Sequence, residues 1–351
     1  MTRARRLIAL LATTTLLAGC SLLDRGDPDD RDSDDPVAWQ PCPEVAEEMV
    51  GATAPRMTYE CATIQVPRDW QAPEESGTFD LALIRIRSER QHDRIGSLVI
   101  NPGGPGGSGI EAAVLLTFGP LFGGLSHAVT ERFDIVGFDP RGVGRSSPVR
   151  CYTDEEMDQT FAADPDPDTE EEFEAALADS RRVAQRCGER YGEALSYIST
   201  EQTARDLEAI REAVGDEKLT YLGYSYGTLL GAVYAHLYPT RVRAMVLDGA
   251  IDPREDPVTA SETQAVGFER AFDNFAGWCA RTPEECPLGS DARAVVEAAL
   301  ERARTSPVRG EDGREAGAGW VFWAVIATLY TQDRWPELAR ALDRFNSGDA
   351  S

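Results

Sequence analysis

Gly223-Tyr224-Ser225-Tyr226-Gly227 is the stretch of this 351-residue chain most able to carry chemistry. A serine flanked at two removes by glycines reads as a nucleophile elbow, a sharp strand-to-helix turn that lifts a hydroxyl out of a sheet. Leu219 to Tyr224 leads in with strand character, and Thr228 onward leads out with helix character. The reaction such a serine performs is acyl transfer. It needs a base to take the hydroxyl proton, an acid to orient that base, and backbone N–H groups to hold the developing oxyanion. At a helix start the Tyr226 N–H is one such donor. A plain glycine-rich turn around a buried serine is the competing reading.

A base for Ser225 is hard to find. The histidines are His92, His127 and His236. His236 lies eleven residues along the same helix as the elbow, roughly 16 Å away at 1.5 Å per residue. His92 and His127 precede the strands expected at 96 and 133, whereas catalytic groups of parallel sheets gather at the strands' carboxyl ends. All three read as surface or packing histidines. A Ser–Lys pair fails as well, because Lys218, the only lysine, begins the strand that ends near the serine, roughly 20 Å off. Asp248 ends the next strand, where an acid could stand, but it has no histidine to orient.

A second feature is Asn101-Pro-Gly-Gly-Pro-Gly-Gly-Ser-Gly109. It lacks the Gly-Lys-Ser/Thr ending of a phosphate-binding loop, and its prolines fit a dinucleotide fingerprint poorly. Lying one strand-pair before the elbow, it fits better as the source of a second oxyanion donor, with Gly104 N–H the candidate.

These groups need elements to hold them. Thr58 to Val66 and Phe79 to Arg87 read as antiparallel strands, and Gly96 to Ile100, Phe133 to Phe138, Leu219 to Tyr224 and Val242 to Asp248 as strands alternating with helices. Helices are expected near Ile110 to Thr117, from Ala204 to Val214 and from Tyr226 to Leu237. Ser199 and Gln202 form a capping box and Gly215 a stop for the second of these. Such alternation implies a mostly parallel sheet with right-handed crossovers, an α/β fold. From about Asp252 only helices are expected: 260–280, 292–304, 320–330 and 335–345.

Asn101-Pro-Gly-Gly-Pro-Gly-Gly, Asp139-Pro-Arg-Gly-Val-Gly-Arg-Ser146, Gly223-Tyr-Ser-Tyr-Gly and Val246-Leu-Asp-Gly-Ala-Ile-Asp-Pro253 together resemble the secreted tripeptidyl aminopeptidases, α/β-hydrolases related to proline iminopeptidases. The resemblance runs from about Cys42 to the end of the chain. It implies an α/β-hydrolase fold with a mostly parallel sheet and a helical cap. It also implies Ser225 as nucleophile, Gly104 and Tyr226 as oxyanion donors, the 139–146 loop as a brace, and no cofactor or metal. Acids in the cap would hold a substrate's α-ammonium, with Glu262, Glu269 and Asp273 available. The family's acid and histidine follow the cap, on strands not found here. The sheet's last strands are therefore expected to be missing, the strand at 242–248 to show an open edge, and the chain to be an inactive portion of a longer hydrolase.

The N-terminus bears on location. Arg3, Arg5 and Arg6 precede an apolar run from Leu7 to Ala18 with the length of an export signal, ending in Leu17-Ala18-Gly19-Cys20. This resembles a lipobox, in which Cys20 is acylated to anchor the protein to a membrane; a plain signal peptide is the alternative. The other six cysteines suit an oxidising compartment. Pairing of neighbours (42–61, 151–187, 279–286) would close local loops. The rival metal reading lacks a C-x-x-C pair or a nearby histidine. The formal charge of −25 disfavours nucleic acid. Asp24 to Asp35 and Ala163 to Glu174 are acidic runs read as solvated, flexible chain. The expected organisation is a leader over 1–20, an acidic tether over 21–40, a hydrolase core over 41–254 and a helical cap over 255–351. The functional readings are a peptidase releasing short peptides from free N-termini, an esterase or lipase on the same scaffold, or a non-catalytic peptide-binding lipoprotein.

Overall fold

The computed structural model describes residues 37–119, 123–311 and 313–350. The leader, Cys20 and most of the acidic tether fall outside the described residues. In chain order come β1 (Gln40–Pro41), α1 (Glu44–Val50), β2 (Met57–Pro67), β3 (Thr78–Ser88), β4 (Gly96–Asn101), α2 (Gly109–Leu116), α3 (His127–Thr130) and β5 (Phe133–Phe138). Then follow α4 (Asp154–Ala162), α5 (Glu170–Tyr191), α6 (Thr200–Ala213), β6 (Leu219–Tyr224), α7 (Tyr226–Leu237) and β7 (Val242–Asp248). The chain finishes with α8 (Pro257–Arg281), α9 (Ala292–Thr305), β8 (Val308–Arg309), β9 (Glu315–Ala316), α10 (Ala318–Leu329) and α11 (Trp335–Asn346).

The main sheet runs β1-β2-β3-β5-β4-β6-β7. β1, β2 and β3 pair antiparallel and join β5 antiparallel, while β5, β4, β6 and β7 are parallel. The central strands read as unbroken apolar runs because both faces are covered. Alternate residues of β3 show this: Ile84 and Ile86 pack with Ile110 and Val114 of α2, while Leu81 and Leu83 pack on the other face with Leu207 of α6 and Leu230 of α7. β7 is the outermost strand. Val246 is 59% exposed and Leu247 also faces solvent, as expected of an open apolar edge.

A third cluster is separate from these two. Phe275, Val296, Val321, Val325, Leu338 and Leu342 knit α8 to α11 into their own core. The expectation of helices alone after 252 needs a correction, since β8 and β9 form a short antiparallel pair inside this region. The cysteines pair as neighbours: Cys42–Cys61, Cys151–Cys187 and Cys279–Cys286.

Two other expectations are corrected by the structure. The run from Ala163 to Glu174 is not all irregular: Thr169 and Glu172 form a reciprocal capping box that starts the 22-residue α5 at Glu170. That helix has no buried residue, so its solvated character stands while its conformation does not. Conversely, Ser199 and Gln202 form only half a box. Ser199 Oγ accepts Gln202 N–H, but the Gln202 side chain accepts from Trp70 N–H and donates to Asp69 instead. Tertiary partners captured it.

Candidate active site

β6 runs into Ser225 and α7 starts on the next residue. Ser225 has φ 51° and ψ −122°, a left-handed region that a residue with a Cβ seldom enters. The turn is tied down on two sides. Ser225 N–H donates to the Asp248 carbonyl at 2.9 Å, and the Ser225 carbonyl accepts from Thr228 N–H at 2.8 Å and from its hydroxyl at 2.7 Å. Thr228 Oγ1 accepts in turn from Ile251 N–H at 2.9 Å. The strained serine is thus held by the carboxyl end of β7 and the segment after it.

The flanking glycines are demanded by contact. A Cβ on Gly223 would stand 2.4 Å from the Gly227 carbonyl, and one on Gly227 would stand 2.6 Å from the Asn101 carbonyl. The Gly-rich loop leaves β4, which neighbours β6 in the sheet, and comes closest at Gly103. With φ 92°, a Cβ there would lie 2.4 Å from the Tyr224 carbonyl, 2.9 Å from Tyr226 N and 3.1 Å from Ser225 Cβ. The loop therefore lies against the Ser225 turn at the carboxyl rim of the parallel strands. Neither Gly104 N–H nor Tyr226 N–H has an acceptor among the described residues. Gly103, the residue of closest approach, was not singled out from sequence, although the paired glycines after Asn101-Pro102 were the signal.

Surrounding contacts fix this rim. Tyr226 O–H pairs with Thr200 Oγ1 at 2.8 Å, anchoring the start of α7 to that of α6. Burial pushes the Tyr226 phenol up, opposed by that bond. Burial likewise raises the Tyr224 phenol, with the Asp248 charge adding to it. Asp139, fully buried at the end of β5, accepts from Ser108 Oγ at 2.5 Å and from Arg145 N–H at 2.8 Å, which ties the N-terminus of α2 to the 139–146 loop. Arg141 and Asp206, both 0% exposed at the side chain, meet at 2.5 Å. Arg141 also donates to the carbonyls of Arg68 and Tyr197, and Trp70 Nε1–H donates to Asp206 at 2.9 Å. This loop braces the sheet beside the glycine segment.

The histidines stand elsewhere. His236 is exposed near the end of α7, and His127 is exposed at the start of α3, ahead of β5. His92 is exposed ahead of β4, its N–H bound to the Glu131 carbonyl. Lys218 lines a polar cleft at the opposite rim with Gly96, Asp216 and Arg243. The Asp248 side chain is exposed, and its backbone carbonyl is what Ser225 N–H meets. In α8, Glu269 and Asp273 are both engaged by Arg293, at 3.1 and 2.8 Å, whereas Glu262 is an exposed carboxylate.

A parallel sheet whose third parallel strand ends in a strained serine, faced by a glycine loop from the neighbouring strand, defines the α/β-hydrolase architecture. A family model described as alpha/beta hydrolase fold matches residues 96–333, and the chain belongs to that family. Among curated proteins it is similar to the serine protease Hip1 of Mycobacterium tuberculosis, 40% identical over 97% of this chain and 66% of that protein. The tripeptidyl aminopeptidase of Streptomyces coelicolor is 36% identical over 83% of this chain and 53% of its own length. Carboxylesterase B of M. tuberculosis is 39% identical over 87% and 57% respectively. The chain thus spans between about half and two thirds of the length of these relatives.

Proposed function

We propose that this chain is the nucleophile-bearing part of an exported serine peptidase that releases short peptides from free N-termini through an acyl-enzyme on Ser225. The observation that carries the reading is the approach of Gly103 to Tyr226 N and Ser225 Cβ at a serine with φ 51°. Two backbone donors, Gly104 N–H and Tyr226 N–H, then face the position where an oxyanion would form above the hydroxyl. Ser225 Oγ attacks the scissile carbonyl and transfers its proton to a base, and the amine leaves with that proton. The acyl-enzyme is then hydrolysed by water. None of His92, His127 and His236 serves as that base, so we expect residues 1–351 by themselves not to turn over. The helical region after Pro253 acts as the cap, with Glu262, Glu269 and Asp273 the acids available for an α-ammonium; Arg293 engages the last two. The tripeptidyl aminopeptidase and serine protease relatives support the peptide reading. The carboxylesterase relative supports an ester substrate on the same site.

Three disulfides favour an oxidising, extracytoplasmic setting. Among the described residues no helix is long and apolar enough to cross a membrane. Acylation at Cys20 would supply the membrane attachment.

The test compares the polypeptide as its own gene produces it with residues 1–351 alone. Substrates are a free-N-terminal tripeptide p-nitroanilide, its N-acetylated analogue and p-nitrophenyl butyrate. The gene product is expected to cleave the free tripeptide substrate best, and Ser225→Ala to lower kcat by roughly 1,000-fold or more. Turnover that survives Ser225→Ala overturns the nucleophile. Preference for the blocked peptide or the ester overturns the aminopeptidase reading, and a gene product without turnover leaves the non-catalytic binding protein.

A further inference from the structure

Asn101 ends β4 just before the glycine loop, and packing alone does not account for it. It is 1% exposed. Its Oδ1 accepts Gly103 N–H at 3.0 Å. Its backbone carbonyl and Oδ1 are also the first atoms that a Cβ on Gly227 would strike, at 2.6 and 2.9 Å. The side chain therefore fills the seam between the glycine loop and the first turn of α7. Nδ2 shares its carbon with Oδ1, so it lies in the same seam, and it is buried there with no acceptor. A desolvated amide donor left unpaired is destabilising, and an apolar residue of similar size would remove it but would strip the buried Gly103 N–H of its acceptor. Filling the seam does not by itself explain an asparagine here.

The glycine loop does. Gly103 and Gly104 have φ 92° and 113° and carry no side chain to hold them. An untethered glycine pair samples many backbone states. We infer that Asn101 is the positioning residue of the oxyanion loop: by taking Gly103 N–H it fixes the Pro102–Gly103 peptide, one link before the Gly103–Gly104 peptide whose carbonyl accepts Gly107 N–H at 3.0 Å, and the two holds together leave Gly104 N–H as a free donor beside Ser225. The catalytic consequence rests on the proposed acyl-transfer reading. The hold of Asn101 on the loop does not.

The sequence offers a selective probe. Carbonyl-13C proline combined with 15N glycine reports only Pro–Gly pairs, and this chain has two, Pro102-Gly103 and Pro105-Gly106. Gly106 N–H has no acceptor among the described residues and serves as the internal reference. Asn101→Ala is expected to speed hydrogen exchange at Gly103 by about tenfold or more while Gly106 is unchanged. Asn101→Asp keeps an acceptor for Gly103 N–H while burying a carboxyl, so Gly103 protection, referred to the variant's own global stability, stays within about twofold of the parent. In a catalytically competent gene product, Asn101→Ala lowers kcat by about 10–100-fold with KM within about twofold, and Asn101→Asp keeps KM as well. Unchanged Gly103 exchange in Asn101→Ala overturns the inference. So does a loss of Gly103 protection no larger than the variant's fall in global stability, read from its thermal unfolding, the mark of a packing role. Where the alanine variant does not fold, lost Gly103 protection in Asn101→Asp overturns it and retained protection upholds it. If the parent shows no Ser225-dependent turnover, the acyl-transfer reading falls while the exchange pair still decides what Asn101 holds.

Discussion

At the scale of single residues, the site is a set of places where a Cβ does not fit next to one place where a Cβ is held under strain. Ser225 tolerates φ 51° because β7 and Thr228 grip the peptides on either side of it. Strain of that kind is worth about 1–3 kcal/mol and persists only where the surroundings over-determine it. Gly103 is the most constrained neighbour, combining a positive φ with a Cβ position 2.9 Å from Tyr226 N. Gly103→Ala is therefore expected to push the loop off the Ser225 turn. Loss of one oxyanion donor lowers kcat by about 100–1,000-fold, with a smaller change in KM. Steady-state kinetics against the free tripeptide substrate reads this, and an unaltered kcat would show that the loop does not form the site.

At the scale of elements, the excursion between β5 and α6 is fastened by charge, not by a core. α4 and α5 bury no residue, yet Glu156 of α4 receives Arg182 at 2.6 Å and a bidentate grip from Arg186, whose second contact is 2.9 Å. Arg186 also donates to the Cys151 carbonyl beside the Cys151–Cys187 disulfide. The Glu156 carboxyl is held well below its ordinary value of 4.5, first by Arg186, then by Thr153 N–H and Arg182. A carboxylate lowered in the folded state contributes stability that is complete above its unfolded value and lost as pH falls through its folded value. The clamp accordingly survives to strongly acidic pH. Glu156→Gln is expected to raise trypsin cleavage in the excursion near pH 8, and pepsin cleavage near pH 3, by roughly threefold or more. Equal cleavage of variant and parent would mean that the disulfide alone holds α4 to α5.

At the scale of the molecule, two sheet cores and one helical core share a chain. The helical core meets the α4 excursion where Arg304 of α9 engages Asp164 at 2.6 Å and Asp168 at 3.1 Å, and where Phe161 stacks on Trp320 at 6.1 Å. Phe275 is the buried centre of that core, with Trp278 and Trp335 each 6.0 Å from its ring. Phe275→Ala is expected to destabilise the helical region by ~3–5 kcal/mol. Because the sheet cores share no residue with it, tryptophan fluorescence should report an early transition while most of the far-ultraviolet signal melts later. A single coincident transition would show that the cores unfold as one unit.

Much of this was legible in the residue order. The parallel strands, α7 and the elbow follow from apolar runs and from glycines at fixed offsets, signals that depend on neighbours in sequence. Neighbour pairing of the cysteines was legible for the same reason, since each bridge closes a local loop. The Thr-x-x-Glu cap that starts α5 was equally local but was masked by the acidic composition around it. What the order of residues could not reveal depends on strands brought side by side. The approach of Gly103 to Tyr226 N, the hold of Asn101 on Gly103 against Gly227, and the capture of Gln202 by Trp70 and Asp69 are set by β4 lying next to β6 and by β2 turning back over α6. Only tertiary packing decides which of many equivalent polar atoms meet, because the hydrogen bonds that join them act at about 3 Å between segments far apart along the chain.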